Sequence, residues 1–403
     1  MESGPLAGIK VIEVGQMIAV PAATHLLANQ GAEVIKVEDV VHGDELRHYG
    51  SQKGGMSAWF INANTGKRSL AVDLQQADGK TILWQLLETA DVVFQGFRPG
   101  ALERLGFGHE TVLKRLPNLV YCSSSGFGPS GPYADLPVYD PIIQALSGWA
   151  GSQQTERGPS LVRGMVADKV AALTSAQAIT AALLQRARTG RGLHIELSML
   201  EASLAFNWSD VMMHASLLDE DAEHRPNLLA TYRLFQCQDG WVTLAAGTDA
   251  QWRGFAEALD REALATDARF ETAAARAGNV IVWYEAMEEA VGAFSQADVL
   301  RRLRAADVPV APILDPAEVA NDPQVKAAGL VREIQHPVAG TLLQPRPSGE
   351  IFGATMDLTP APTHGQHTTE ILAELGYDPE ATARLRTAGC IRRSDPDSAN
   401  TDP

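Results

Sequence analysis

The sequence predicts an α/β fold, with a larger unit of alternating strands and helices followed by a smaller α+β unit. Three observations carry this. Over roughly the first 200 residues, short runs rich in Val and Ile alternate with helix-length stretches, the pattern of parallel strands joined by crossover helices. The charged patch Asp219-Glu-Asp-Ala-Glu-His-Arg-Pro226 breaks that alternation and marks a boundary. From Asp315 onward, Pro337, Pro345, Pro347, Pro360 and Pro362 punctuate the chain and predict an extended return segment without long elements.

Element by element, residues 8–14 read as a first strand, 19–30 as a helix and 32–38 as a second strand. Residues 69–74, 91–94 and 118–122 read as further buried strands, with helical or turn material at 79–89 and 99–115. A long alanine-rich helix follows Asp168 and ends near Arg188, ahead of Gly190. The whole is a parallel sheet with helices on its faces, in the Rossmann style. After a helical stretch at 200–218, residues 231–246 predict two strands around Asp239-Gly240, a dipeptide typical of tight hairpins. Helices at 250–259 and 280–305 and a Pro-bearing strand at 308–314 complete the smaller unit. A last amphipathic helix is expected at 366–375, and the tail 393–403, lacking apolar anchors, is expected to be disordered. The domains are therefore 1–220 for the first part of the large domain, 226–315 for the small α+β domain, and 316–392 for the return.

The balance of residue types limits the partners. A formal net charge of −16 disfavours nucleic acid and anionic membrane surfaces, which are bound through surplus Lys and Arg. No run of about 18 uncharged apolar residues exists, and the N-terminus lacks a basic segment followed by an apolar one, so a cytoplasmic, soluble protein is expected. Cys122, Cys237 and Cys390 are odd in number and far apart, which argues against a disulfide framework and a zinc site; no metal is expected.

Several motifs fail in context. Gly126-Phe-Gly-Pro-Ser-Gly131 matches the dinucleotide string, yet Pro129 and Pro132 continue a loop where that site needs a helix start, and no acid lies about 20 residues on. No Walker loop, no Gly-x-Ser-x-Gly elbow and no paired histidines at metal spacing appear. Asp168, which ends Leu161-Val-Arg-Gly-Met-Val-Ala-Asp168, reads in its own window most simply as the N-cap of the long helix. Arg98 and Arg104 flank Pro99-Gly100 after a presumed strand end, where ligands of open α/β sheets lie.

An ordered set of segments resembles the family III coenzyme A transferases, also called the CaiB/BaiF family. It includes Gly31-Ala-Glu-Val-Ile-Lys-Val-Glu38, Asn64-Thr-Gly-Lys-Arg-Ser-Leu-Ala-Val-Asp-Leu74 and Gln95-Gly-Phe-Arg-Pro-Gly100. It continues through Ser125-Gly-Phe-Gly-Pro-Ser-Gly-Pro-Tyr133, Tyr139-Asp-Pro-Ile-Ile-Gln144, Asp168 and Gly365-Gln-His-Thr-Thr-Glu370. The resemblance implies a CoA transferase that moves CoA from an acyl-CoA donor to a small carboxylic acid, with acyl-CoA as substrate and no permanently bound cofactor. It makes Asp168 the nucleophile, forming anhydride and aspartyl-CoA thioester intermediates. A helix N-terminus favours an ionised carboxylate, so catalysis and capping are compatible roles.

By the same resemblance, Phe97 and Arg104 contact the nucleotide, with Ala19 in the first strand-to-helix turn, and residues Val72 to Gln75 give a backbone edge beside the adenine. Tyr139 hydrogen-bonds in the site, and a loop holding Gly247 covers it. Lys67 and Arg68 read more as a solvated turn than as phosphate contacts. Gly96 stands where the family often has Asn, Asp39 where a base can meet the nucleotide, and Pro137 where a Lys can reach phosphate. The large domain is then built from N- and C-terminal parts, and two ring-like protomers interlock as a homodimer.

Two other readings share the fold. Racemisation of a 2-methylacyl-CoA needs two opposed acid–base groups, and Val138-Tyr139-Asp140 stands where those racemases have Gly-His-Asp. A phenol, titrating near pH ~10 in water, is a poor proton shuttle at neutral pH, which favours transfer. The remaining reading is a non-catalytic CoA-binding protein.

Overall fold

The computed structural model describes residues 4–155, 157–223, 232–348 and 359–392. The tail 393–403 and residues 224–226 of the charged patch lie outside them. The described residues form two units, one within 1–218 and 330–403, the other within 219–329.

The larger unit is built on one parallel sheet of β1 (Lys10–Val14), β2 (Glu33–Glu38), β3 (Lys67–Ala71), β4 (Val92–Gln95), β5 (Val120–Ser125) and β6 (His194–Ser198). The spatial order is β3-β2-β1-β4-β5-β6, so the winding reverses between β1 and β4. Ile12 lies opposite Ile35 on one side and Val93 on the other. Alternation along each strand divides the apolar residues between two faces. Val11, Val34, Val92 and Val120 pack against α1 (Ala19–Ala28). Ile12, Ile35, Leu70 and Val93 pack against α2 (Ala77–Glu88). Residues 99–115, expected as one stretch, make two short helices, α3 (Ala101–Leu105) and α4 (His109–Arg115), because Gly106 ends the first at φ 94.

After α5 (Asp140–Leu146), the alanine-rich segment forms α6 (Val166–Thr189), and α7 (Met199–Asn207) follows β6. Ala172, Ala176 and Ala182 of α6 are buried with Val20, Ala23 and Leu27 of α1. Alanines on that face let two helix backbones pack closely above the sheet.

In the smaller unit, β7 (Phe235–Gln236) and β8 (Trp241–Leu244) pair antiparallel, and β8 also pairs with β9 (Val310–Pro312). Gly240 serves by closeness rather than by a left-handed turn: a Cβ there would lie 2.8 Å from the Gln296 amide nitrogen. Around this sheet lie α8 (Asp249–Ala258), α9 (Val280–Gly292) and α10 (Gln296–Ala305). Ser295 breaks what reads as one helix over 280–305, because its hydroxyl accepts the Asp298 amide and caps α10.

The return to the larger unit differs from the expectation. Val331–His336 (β10) and Gly340–Pro345 (β11) form a six-residue antiparallel ladder. Pro337 falls in the turn and Pro345 at the ladder's last pair, positions where a missing N–H costs nothing. Two helices follow, α11 (Thr368–Glu374) and α12 (Pro379–Thr387); the second was not anticipated, although Asp378 caps it ahead of Pro379. Ile371, Leu372 and Leu385 join the α2 face of the sheet core, so the C-terminal segment completes that unit.

Candidate active site

The carboxyl ends of β1, β4 and β5 open onto a cavity of about 1290 Å³ at the point where the winding reverses. This is where open α/β sheets bind ligands, because the connecting loops diverge there. Its walls are Gln16 to Val20 after β1, Gly96 to Arg98 after β4, Ser124 to Phe127 at the end of β5 and just beyond it, and residues preceding and opening α6.

A network of buried charge fixes the first of these loops. Glu13 near the end of β1 bonds Lys36 at 2.6 Å and Lys67 at 2.7 Å, and accepts the Thr24 hydroxyl at 2.5 Å. Lys36 also holds the Gly15 carbonyl at 2.9 Å and the Asp44 carboxylate at 2.7 Å. Lys67 donates to the Pro21 carbonyl at 2.7 Å and to Asn64 at 2.8 Å. Asp44 in turn accepts the Met17 amide at 3.0 Å, while Met17 adopts φ 65, a left-handed conformation that side chains disfavour. Burial alone would raise the Glu13 pKa, yet the two ammonium groups hold it below the carboxylate range.

Lys67 is thus neither a solvated turn residue nor a phosphate contact. Arg68 is likewise committed, bonding Glu33, Glu370 and Glu374. Both readings fail because their partners come from distant segments of chain.

Asp168 is also placed differently from its window reading. It is the third residue of α6; Met165 occupies the N-cap and offers no side-chain bond. The capping oxygen comes from Asp140, which accepts the amides of Ala167 at 2.7 Å and Asp168 at 3.2 Å. Asp140's other oxygen takes the Gln144 amide at 2.5 Å, and Gln144 is bonded to both backbone groups of Val162. The start of α5 therefore staples the loop before α6 and leaves the Asp168 carboxyl on the cavity wall.

Burial first, and then the neighbouring Asp140 charge, push the Asp168 pKa up to about 7; the Ala19 backbone amide and Lys169 oppose them. The helix N-terminus was expected to keep this acid ionised. Desolvation and the second carboxylate outweigh it, so the group is poised near neutrality.

Of the residues singled out from sequence, Ala19, Phe97, Arg98, Arg104, Tyr139 and Asp168 all line the cavity. Pro137 and Gly96 line it too, and a Cβ at position 96 would lie 2.5 Å from the Val20 side chain. Val72 and Gln75 are not among the lining residues: Val72 is buried and bridges to Ile391. Asp39 is occupied locally, accepting the amides of Val41 and His42. Gly247 belongs to the smaller unit, where its carbonyl accepts from Arg276 at 2.7 Å.

Sequence reasoning missed Arg163, Lys169 and Gln144, which also line the cavity. Gln144 was detectable, standing four residues after Asp140 on a helix opened by Pro141. Arg163 and Lys169 flank the acid in sequence but carry no motif. Among the described residues, neither they nor Arg98 and Arg104 form an ion pair, so an acidic chain lines one cavity with four uncommitted cations.

The sequence matches CoA-transferase family III over residues 6–368. It is 35% identical to the acetyl-CoA:oxalate CoA-transferase of Acetobacter aceti, covering 81% of this chain and 85% of that protein. It is 34% identical to the succinate–glutarate CoA-transferase of Agrobacterium fabrum, covering 92% and 96%. A crystal structure of a CaiB/BaiF family protein from Brucella suis superposes with a TM-score of 0.81 at 32% identity, covering 93% of this chain and all of that one. With a match running through both units and the cavity at the sheet's switch point, the chain belongs to CoA-transferase family III and is a CoA-transferase.

Proposed function

We propose that the protein transfers CoA from an acyl-CoA donor to a dicarboxylic acid, with Asp168 as the covalent relay. The Asp168 carboxylate attacks the donor thioester carbonyl and CoA thiolate leaves, giving a mixed anhydride. The thiolate then attacks the aspartyl carbonyl, releasing the donor acid and leaving an aspartyl-CoA thioester. An acceptor carboxylate attacks that thioester, thiolate leaves again, and a second anhydride forms. Thiolate attack on the acceptor's carbonyl releases the new acyl-CoA and restores Asp168. Thioester energy is retained and no water takes part.

The observation that carries this reading is the division of labour at the start of α6. Asp140 caps the helix by accepting the Ala167 and Asp168 amides and is itself held by Gln144, while Asp168 faces the cavity with a pKa near 7. A carboxylate poised there is ionised in about half of molecules at neutral pH and is more basic than a solvated one. Arg98 and Arg104, with Phe97, suit the nucleotide phosphates and base. Arg163 and Lys169 suit the acceptor's second carboxylate, in keeping with the oxalate and glutarate in the relatives' names. Exposed Leu173 and Leu184 on α6 and Phe206 on α7 favour a homodimer that covers them.

The test is trapping. After incubation with acyl-CoA, hydroxylamine or rapid quench followed by mass spectrometry should place an adduct on Asp168, and Asp168→Ala should abolish turnover. Surviving turnover without the adduct would refute the mechanism, and α-deuterium wash-in without an acceptor would instead identify a racemase. Arg163→Ala should raise KM about tenfold or more for dicarboxylic acceptors and leave monocarboxylic ones within twofold.

A further inference from the structure

We propose that the buried network of Glu13, Lys36, Asp44 and Lys67 is a positioning device for Asp168, clamping the turn at residues 15–21 so that Ala19 keeps its place against the opening of α6, beside Asp168 on the cavity wall. This rests on Asp168 being the reacting group.

The clamp holds the turn at three backbone points. Lys36 grips the Gly15 carbonyl at 2.9 Å, Asp44 accepts the Met17 amide at 3.0 Å, and Lys67 grips the Pro21 carbonyl at 2.7 Å. Between those points lie Gln16 to Val20, all on the cavity wall. Glu13 ties both ammonium groups together; Lys67 spends three donors, on Glu13, Asn64 and the turn, while Lys36 donates to Glu13 and the turn and pairs with the Asp44 carboxylate.

Two features point beyond core packing. Met17 is held at φ 65, a conformation that costs of order 1 kcal/mol for a side-chain-bearing residue and persists only where surrounding bonds enforce it. Buried ion pairs, moreover, are weak evidence of stability, since apolar replacements often do as well; their better-attested use is to fix one arrangement. Here the arrangement fixed is a loop, and at its far end Ala19, whose amide favours the ionised acid, packs against the cluster holding Ala167 and Val170 on either side of Asp168.

The amide matters because it opposes two neighbours that neutralise Asp168. Burial and Asp140 from α5 favour the protonated acid, while the amide, together with Lys169 one residue along α6, favours the carboxylate. Releasing the turn weakens the ionised side. Lys36, Lys67 and Asp44 thereby act on the nucleophile without touching substrate.

The experiment reads the Asp168 carboxyl by carbon NMR in labelled full-length protein, with the signal assigned through Asp168→Asn. This readout does not depend on turnover, so failure of the transfer mechanism and failure of the clamp are separate results. Asp44→Ala removes the Met17 acceptor; Asp44→Asn is the milder variant, setting an amide nitrogen against the Lys36 ammonium. Either should raise the Asp168 midpoint by about half to one pH unit, the worth of one hydrogen bond. Asp91→Ala is the control, since Asp91 pairs with Arg186 and the Lys10 amide at the opposite end of the sheet. It should destabilise the fold and leave the midpoint in place. An unchanged midpoint in folded Asp44→Asn, or an equal shift in Asp91→Ala, would overturn the proposal.

Discussion

Replacing Asp168 by Asn should stabilise the protein, and by more at high pH than at low. The carboxyl titrates near 7 in the fold against 3.8 when unperturbed. An acid whose folded pKa is raised imposes a cost that is absent below its unfolded value, grows as pH climbs through the window from 3.8 to 7, and is constant above it. A shift of about 3 units at about 1.4 kcal/mol each amounts to ~4 kcal/mol at pH 8, an upper bound because water in the cavity screens part of it. At pH 5, only about one unit above the unfolded value, the same linkage gives ~2 kcal/mol. Urea unfolding of wild-type protein and Asp168→Asn, at one fixed protein concentration, should therefore show a gap that widens by roughly 2 kcal/mol between pH 5 and pH 8. Any constant packing or hydrogen-bond effect of the amide cancels in that comparison. A gap equal at both pH values would refute the claim that burial and Asp140 strain this acid, and with it the reason for its reactivity.

Other substitutions test neighbouring parts of the structure. Asp140→Asn keeps an oxygen for the Ala167 amide but removes the negative charge, so the Asp168 midpoint should fall below about 7, as read by NMR titration. Glu13→Gln leaves the Lys67 ammonium with neutral partners alone and should cost about 3–5 kcal/mol by chemical denaturation; a loss under about 1 would show that the network contributes little. Gly96→Ala sets a methyl 2.5 Å from the Val20 side chain and should cost about 1–3 kcal/mol, partly recovered by Val20→Ala in the same chain.

The sheet was legible in the sequence because each strand carries its own signal. Runs such as Lys10–Val14 and Glu33–Glu38 are β-branched and buried on both faces, so local composition was enough to find them. The cavity was partly legible for a related reason: its loops follow strand ends directly, and Phe97, Arg98 and Tyr139 lie within them. What failed was every reading that needed a partner far along the chain. Lys67 looked solvated because Glu13 stands 54 residues away. Asp168 looked like a cap because the oxygen that performs that task belongs to a residue 28 positions earlier. The ladder of β10 and β11 was hidden by its prolines, which mark ladder ends once the register is known.

The cap supplied by Asp140 has a consequence for the chemistry itself. In each covalent intermediate proposed, Asp168 is an acyl derivative without a negative charge, unfit to anchor backbone amides. Had it been the anchor, every turnover would have frayed and rewound a 24-residue helix packed across the sheet. With the anchor on a neighbouring segment, bonds can be made and broken at one side chain while the scaffold beneath it stays still.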